Sequence, residues 1–478
     1  MLQHVRFSRR LWILAAWTVA GFFCFRFFSI NTQNELTNEK QVPTEKAPDT
    51  DHSGRHHAHE HSVLWNDAAT ILETYSLAHI PGFTMLQNVY SINGTLILVS
   101  DNGSSLPIPK HVISAWAKVP ERRIYLAEEP THHRIRVVDR ATAIRLLGLS
   151  ARRLHGTTWL FNEPLAYADD SAVLKALRTH YMQESRTGSG PSYLPPRRLL
   201  FPHIPIKQQH ALPGLSTTPR SIFPSIGIGF KEDWYDYASH DRPIVFDTLV
   251  LLDSAATFRN PRILQQPDHS LLRLEVLSPL LAFTPLSNTW WAPWRKRLAE
   301  MIGFMESKSN RLIISYVFSS SDHHGKLDST THDSLINAAK ALEQSHDLVF
   351  HVVDTASTNF IDRLRLALST SIMFGPTGRS LMDVMWMPVA KRATVIELFP
   401  DDYLTAKQYH VSKVVGINYQ AWRGSRIIEM PSITNETYSE LLKSTLQRSV
   451  DIEKALRDPI KLDIDKFVQH LVACVEAG

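Results

Sequence analysis

The feature that most constrains this chain is the alternation of two hydrophobic periods between residues 312 and 399. Residues 312–318 and 348–353 are apolar runs of strand length, and between them Leu335, Ile336, Ala339 and Leu342 recur at helical spacing. A second cycle follows. Phe360, Ile361, Leu364, Ala367 and Leu368 line one face of a helix over 359–369, with Asp362, Arg363 and Arg365 on the other. Residues 371–374 then read as a short strand, 379–387 as a helix stopped by Pro388, and 393–399 as a strand. Such alternation folds as a parallel sheet covered by helices, with its ligand beyond the carboxyl ends of the strands.

The rest of the chain is organised around this core. Residues 11–28, LWILAAWTVAGFFCFRFF, carry Arg26 as their only charge, close to the roughly 20 residues a spanning helix needs. Arg6, Arg9 and Arg10 precede the run and Glu35 and Glu39 follow it, which puts the short N-terminus in the cytoplasm and the body in the lumen. A cleaved signal peptide is the rival reading, but FFSINTQNE has no small-residue cleavage pattern. The expected organisation is a tail at 1–10, a transmembrane signal anchor at 11–30, a polar stem at 31–62, an N-terminal lobe at 63–244 and a C-terminal lobe with C-terminal helices at 245–478. The stem holds His56, His57, His59 and His61 but no second ligand set, so a flexible linker is the plainer account. Asn93, Asn102 and Asn435 head glycosylation triplets that a lumenal chain can use.

Composition excludes several classes. With 51 Lys plus Arg against 47 Asp plus Glu, the excess of +4 is scattered, so nucleic acid has no basic footprint. Two cysteines, Cys24 and Cys474, lie at opposite ends of the chain, so no disulfide framework supports the fold. No G-x-S-x-G elbow, P-loop or H-E-x-x-H helix occurs, which disfavours hydrolase, NTPase and zincin readings. Asp49-Thr-Asp51 and Asp463-Ile-Asp465 have a D-x-D form, but one lies in the stem and the other precedes a helix that an acid caps well, and no bound metal is expected. The cluster Trp290, Trp291 and Trp294 can stack on sugars, or can pack between lobes.

The loop Gly375-Pro376-Thr377-Gly378 follows a strand and opens a helix. Its glycines permit a tight turn that brings amide N–H groups to a ligand, Thr377 or Ser380 can cap the helix, and the helix N-terminus favours an anion such as a diphosphate. A strand-to-helix turn also needs glycine for steric reasons alone. Arg379 opens the helix where its charge can reach a diphosphate, and Glu397, at the end of the next strand, can accept ribose hydroxyls or serve as half of a salt bridge.

GPTGRSLMDVMWMPVAKRATVIELFP at 375–400 resembles the signature of glycosyltransferase family 61, in which a G-x-H-G-A-G-L-T-N-like loop leads to a helix ending in Met-Pro and a V-I-E-L-F-P strand. Weaker likenesses are GTTWLFNEP at 156–164, VFDTLVLLDSAATFRNP at 245–261 and WWAPWRKRL at 290–298. The resemblance implies an α/β, GT-B-like fold with two Rossmann-like lobes after the transmembrane helix and stem, and a single-pass type II location in the Golgi or endoplasmic reticulum membrane. It implies inverting transfer of xylose, arabinose or N-acetylglucosamine from a UDP-sugar to a glycan or glycoprotein, with the donor held by Gly375, Thr377, Gly378, Arg379, Ser380 and Glu397. No catalytic residue is assigned. The sequence departs from the family at several places: Thr377 stands for its His, Arg379 for its Ala, Ser380 for its second Gly and Asp383 for its Asn. Ile314-Ser315-Tyr316 replaces Ile-Ser-Arg, Asp253-Ser254 replaces Asp-Arg, and no Tyr-His-Phe run follows GTTWLFNEP. Either Arg379 and Lys391 or Arg392 restore positive charge from new positions, or the chain is a non-catalytic sugar- or nucleotide-binding scaffold.

Overall fold

The apolar runs pair into two mixed sheets in the computed structural model, which describes residues 62–64, 70–115, 128–163, 174, 177, 196–209, 215, 217–239, 242–257, 290–305, 311–321, 325–401, 403–404, 407–428 and 458–477. All belong to the compact unit Glu60–Gly478.

The first sheet contains β1 Ser62–Leu64, β2 Tyr75–Ile80, β3 Phe83–Ile92, β4 Thr95–Val99, β5 Ile135–Val138, β6 Ser150–Phe161, β7 Arg198–Leu200, β8 Gly227–Gly229 and β9 Ile244–Leu252. Its order is β5-β4-β3-β9-β6-β7-β8, with β1 on β6 and β2 on β3. β6, β7, β8 and β9 form a parallel set, whereas β3 runs antiparallel to both β4 and β9. The turn that reverses β3 into β4 is Asn93-Gly94, with φ of 50° and 73°, the left-handed pair that a tight hairpin of this hand requires.

The second sheet contains β10 Leu312–Phe318, β11 Leu348–Asp354, β12 Ile372–Pro376, β13 Thr394–Phe399, β14 Asn418–Arg423 and β15 Arg426–Ile428, in the order β11-β10-β12-β13-β14-β15. The first five of these in space are parallel, and β15 folds back antiparallel on β14. Helices α1 Ser329–Ser345 and α2 Phe360–Ser369 carry the chain from β10 to β11 and from β11 to β12. Both start where a side chain caps them: Asp328 accepts from the Thr331 N–H, and Asn359 from that of Asp362.

Alternation along the strands sorts the core into two layers. Ile314, Phe374 and Ile396 point toward Leu335, Ala339 and Leu342 of α1 and toward Phe467 and Leu471 of the helix Ile464–Glu476. Met373 and Val395 point the other way, to Leu364 and Leu368 of α2 and to the helix Arg379–Trp386. That second layer continues through Trp290, Trp291 and Trp294 to Phe161 and Val250 of the first sheet and to Phe201 just past β7, so one core joins the two sheets. The three tryptophans are buried, and Trp291 Nε1 donates to the Met385 carbonyl. They pack the molecule and present no exposed ring to a sugar.

Several expectations are corrected. Two Rossmann-like lobes are replaced by two mixed sheets within an α/β fold, because β3 opposes β9 and β15 opposes β14. Residues 245–252, read as the start of the C-terminal lobe, belong to β9, a central strand of the first sheet. Residues 379–386 form a 3₁₀ helix, with Ser380 through Trp386 all buried. No helix among the described residues is long and apolar enough to cross a membrane. The transmembrane helix expected at 11–30 and the stem up to residue 61 lie outside the described residues, as does Asn435.

Candidate functional site

The chain leaves β10 to build β11 on one side and returns to build β12 on the other, so strand order reverses between β10 and β12. The covering elements split accordingly, with α1 on one face and α2 and the 3₁₀ helix on the other. Their divergence opens a crevice at the carboxyl ends of these two strands, the place where open α/β sheets bind ligands. A cavity of about 270 Å³ lies there.

Three kinds of group line it. The first is an aromatic wall: Tyr316 stacks on Phe318 with ring centres 5.4 Å apart, and His332 meets Phe318 edge-on at 4.7 Å. Burial pushes the Tyr316 phenol well above its usual range, so its hydroxyl stays protonated, and it shares a hydrogen bond of 3.0 Å with His332 Nδ1 whose direction is set by the imidazole tautomer. The second is a set of hydroxyls from Ser319, Ser320, Ser329, Thr377 and Ser380. Ser380 is 5% exposed and its hydroxyl makes no hydrogen bond to the described residues. The third is the cation Lys326, whose ammonium donates to the Ser320 carbonyl at 2.9 Å on the cavity rim. Gly325, with φ of 64°, lets the strand-to-helix loop approach the Thr377 carbonyl, 3.1 Å from where a Cβ would sit.

The six donor-site residues expected from the sequence separate into different roles. Thr377 and Ser380 reach the cavity, together with Pro376. Gly375 sits inside the sheet: a Cβ there would collide with the Val317 carbonyl oxygen, so its glycine serves strand packing between β12 and β10. Gly378, with φ of 148°, supplies the backbone turn into the 3₁₀ helix, and Gln408 Nε2 donates to its carbonyl at 2.8 Å. Arg379 is exposed and is not among the lining residues. Glu397 is fully buried; its carboxylate accepts from Thr377 Oγ1 at 2.7 Å and from the Tyr419 hydroxyl at 2.6 Å. It orients Thr377 and offers no surface to a ribose. Asp383, which stands where the resemblance has Asn, is held by Arg363 through Nε and Nη2, each at 2.9 Å, so this departure brings its own partner.

The glycosylation triplets have structural work as well. Asn93 forms the exposed β3–β4 turn, and exposed Asn102 accepts from the Ser104 hydroxyl at 2.6 Å. Among the described residues no group of His, Cys, Asp and Glu is placed to hold a metal ion.

A second polar cluster was not picked out from the sequence. In the first sheet β6, β7 and β8 run outward in order and the chain then returns to place β9 on the other side of β6, a second reversal of strand order. Just past the carboxyl ends of β6 and β9 lie Asn162, Glu163, Asp253 and Ser254, all buried. Asp253 accepts from Ser114 N–H at 2.6 Å, Ser114 Oγ at 2.8 Å and Asn162 Nδ2 at 2.8 Å, and from Ala256 N–H at 3.0 Å. Burial pushes its carboxyl above the usual range, and these four donors offset that only in part. Ser254 Oγ donates to Glu163. Polar pairs directly after the strands, Asn162-Glu163 after β6 and Asp253-Ser254 after β9, were the available signal.

Compared with known proteins, the sequence matches no protein-family model and no curated protein.

Proposed function

We propose that the protein is a glycosyltransferase of the secretory pathway that moves a sugar from a UDP-sugar to a hydroxyl of a glycan or glycoprotein, with inversion. The observation that carries this reading is the cavity between β10 and β12, which combines hydroxyls, that of Ser380 among them, with an ammonium and an aromatic wall at a reversal of strand order. The aromatic wall of Tyr316, Phe318 and His332 suits the face of a base or sugar ring. Lys326 and the Ser380 hydroxyl suit a diphosphate, whose charge grows as the sugar leaves, and Lys326 stabilises that departing charge. The resemblance of 375–400 to family 61 points the same way.

A donor-binding scaffold without turnover is the second reading. It is favoured by Thr377 standing where the resemblance has a histidine, and by Glu397 being consumed inside the sheet. Titration calorimetry with UDP tests what both readings share. Lys326→Ala removes a charge-assisted contact of about 1.5–3 kcal/mol and is expected to weaken UDP roughly ten- to a hundredfold. Arg379→Ala is expected to leave affinity unchanged. Wild-type protein without UDP binding at millimolar ligand refutes both readings.

A further inference from the structure

Glycosyl transfer with inversion needs a group that takes the proton from the attacking hydroxyl, and the polar cluster of the first sheet is built to present one. Asn162, His203 and Asp253 follow β6, β7 and β9, which are neighbours in the sheet, so their side chains meet at the reversal of strand order. Asn162 Nδ2 donates both to Asp253 Oδ2 and to the Ser114 carbonyl, at 2.8 and 3.1 Å, two groups that only accept. This fixes the amide, and its Oδ1 faces His203 Nε2 at 2.8 Å. Oδ1 accepts, so Nε2 must carry the proton. The neutral ring then has its lone pair on Nδ1, which makes no hydrogen bond to the described residues.

The arrangement is rigid. Phe201, two residues before His203, stacks between Phe161 at 4.8 Å and Phe230 at 5.9 Å, and Ile204 is buried beside it. Burial lowers the imidazole to about 4, with Arg134 and Lys231 acting in the same sense, so the ring is in its base form at working pH. The linkage Asp253–Asn162–His203 holds one tautomer and places a carboxylate behind the ring, the logic by which a third group orients a histidine base.

We infer that His203 is the catalytic base, its Nδ1 accepting the proton of an alcohol on the glycan or glycoprotein acceptor. The inference rests on the glycosyl-transfer reading. As the proton passes to Nδ1, the acceptor oxygen bonds to the anomeric carbon, and the bond from that carbon to the diphosphate oxygen breaks. Its electron pair leaves with UDP, and the imidazolium returns its proton to solvent.

The test measures three things on the full chain: UDP binding by calorimetry, UDP release from UDP-xylose, UDP-arabinose and UDP-N-acetylglucosamine with water as acceptor, and melting temperature. His203→Gln keeps an N–H for Asn162 Oδ1 but has no base. It is expected to bind UDP and melt as the wild type does, and to lose roughly a hundred- to ten-thousandfold in turnover. His203→Gly should be equally slow and should be restored by added imidazole, which a purely structural histidine would not allow. Retained turnover in His203→Gln overturns the assignment, as does absent imidazole rescue in a folded His203→Gly, or a wild type that binds UDP but releases it from no donor. Failure of wild-type UDP binding instead removes the glycosyl-transfer reading itself. Should both variants fail to fold, histidine-labelled wild-type protein still reports the tautomer by nitrogen NMR, and a protonated Nδ1 on His203 overturns the proposal.

Discussion

Replacing Glu397 distinguishes a ligand-binding carboxylate from one that belongs to the sheet. Its two oxygens accept from Thr377 Oγ1 and the Tyr419 hydroxyl at 2.7 and 2.6 Å, and no part of the residue is exposed. Hydrogen bonds to a charged partner are worth about 1.5–3 kcal/mol each, and truncation to Ala also opens a void that neighbours refill only in part. Glu397→Ala is therefore expected to cost about 3–5 kcal/mol, a fall in melting temperature of roughly 6–10 °C at about 2 °C per kcal/mol for a unit of this size. Glu397→Gln keeps the shape and one acceptor oxygen, and both hydroxyls can reorient, so the cost falls to about 1–2 kcal/mol. Differential scanning fluorimetry reads the stability and titration calorimetry reads UDP affinity in Glu397→Gln. A variant of unchanged melting temperature that loses UDP affinity would refute the sheet role and return Glu397 to the donor.

Gly375→Ala drives a methyl into the Val317 carbonyl oxygen and is expected to destabilise by about 1–3 kcal/mol or more, read as a lowered denaturation midpoint. Asp383→Ala strands the Arg363 guanidinium in the interior, at about 3–5 kcal/mol, and Arg363→Met in the same chain should recover part of that loss. Acidification should act through His79 and His203, both lowered by burial to about 4. Their folded values lie below the unfolded 6.5, so the unfolded chain takes up protons first and stability falls as pH drops from 6.5 toward 4, by at most about 1.4 kcal/mol per pH unit per ring and less for the more solvated His79. Denaturation of wild type and His203→Gln across that range checks the share due to His203; parallel curves would contradict it.

The second sheet was legible from β10 to β13, because each of these strands is followed by a helical segment whose period differs from its own. Residues 312–318 and 348–353 read as strands around a helix, and they pair in parallel register from Leu312 with Leu348 to Phe318 with Asp354. The pairing within the first sheet was not legible, for a reason visible in β9. Residues 244–252 look like the start of a new parallel unit, yet β9 is flanked by β3, some 160 residues upstream and antiparallel, and by β6 in parallel. Period alone fixes that a segment is a strand; partner choice over such separations depends on which faces remain unburied, and no local spacing reports it. The 3₁₀ helix misled in a related way. Arg379–Trp386 has helical spacing, but from Ser380 onward it is buried all round, wedged between α2 and the helix Lys407–Val415.

At the site, sequence located the loop and misplaced its chemistry. Glycine and acid in GPTG…VIEL are the residue types a donor loop would use, and the same types are what a close strand pair and a buried hydroxyl network require. Only exposure separates the two, and exposure is a property of the assembled sheet. The groups that do face the cavity, Lys326, Ser329 and His332, lie on the loop after β10 and the first turn of α1, and were passed over because they form no motif. The reversal of strand order would have indicated them, since the loops that leave β10 and β12 diverge to opposite faces and whatever they carry must border the gap. The same reasoning applied to β6 and β9 leads to Asn162 and Asp253, and through them to His203. Both sheets therefore place a polar atom that makes no hydrogen bond to the described residues, the Ser380 hydroxyl in one and His203 Nδ1 in the other, at a topological reversal, where ligand and catalytic groups are expected to gather.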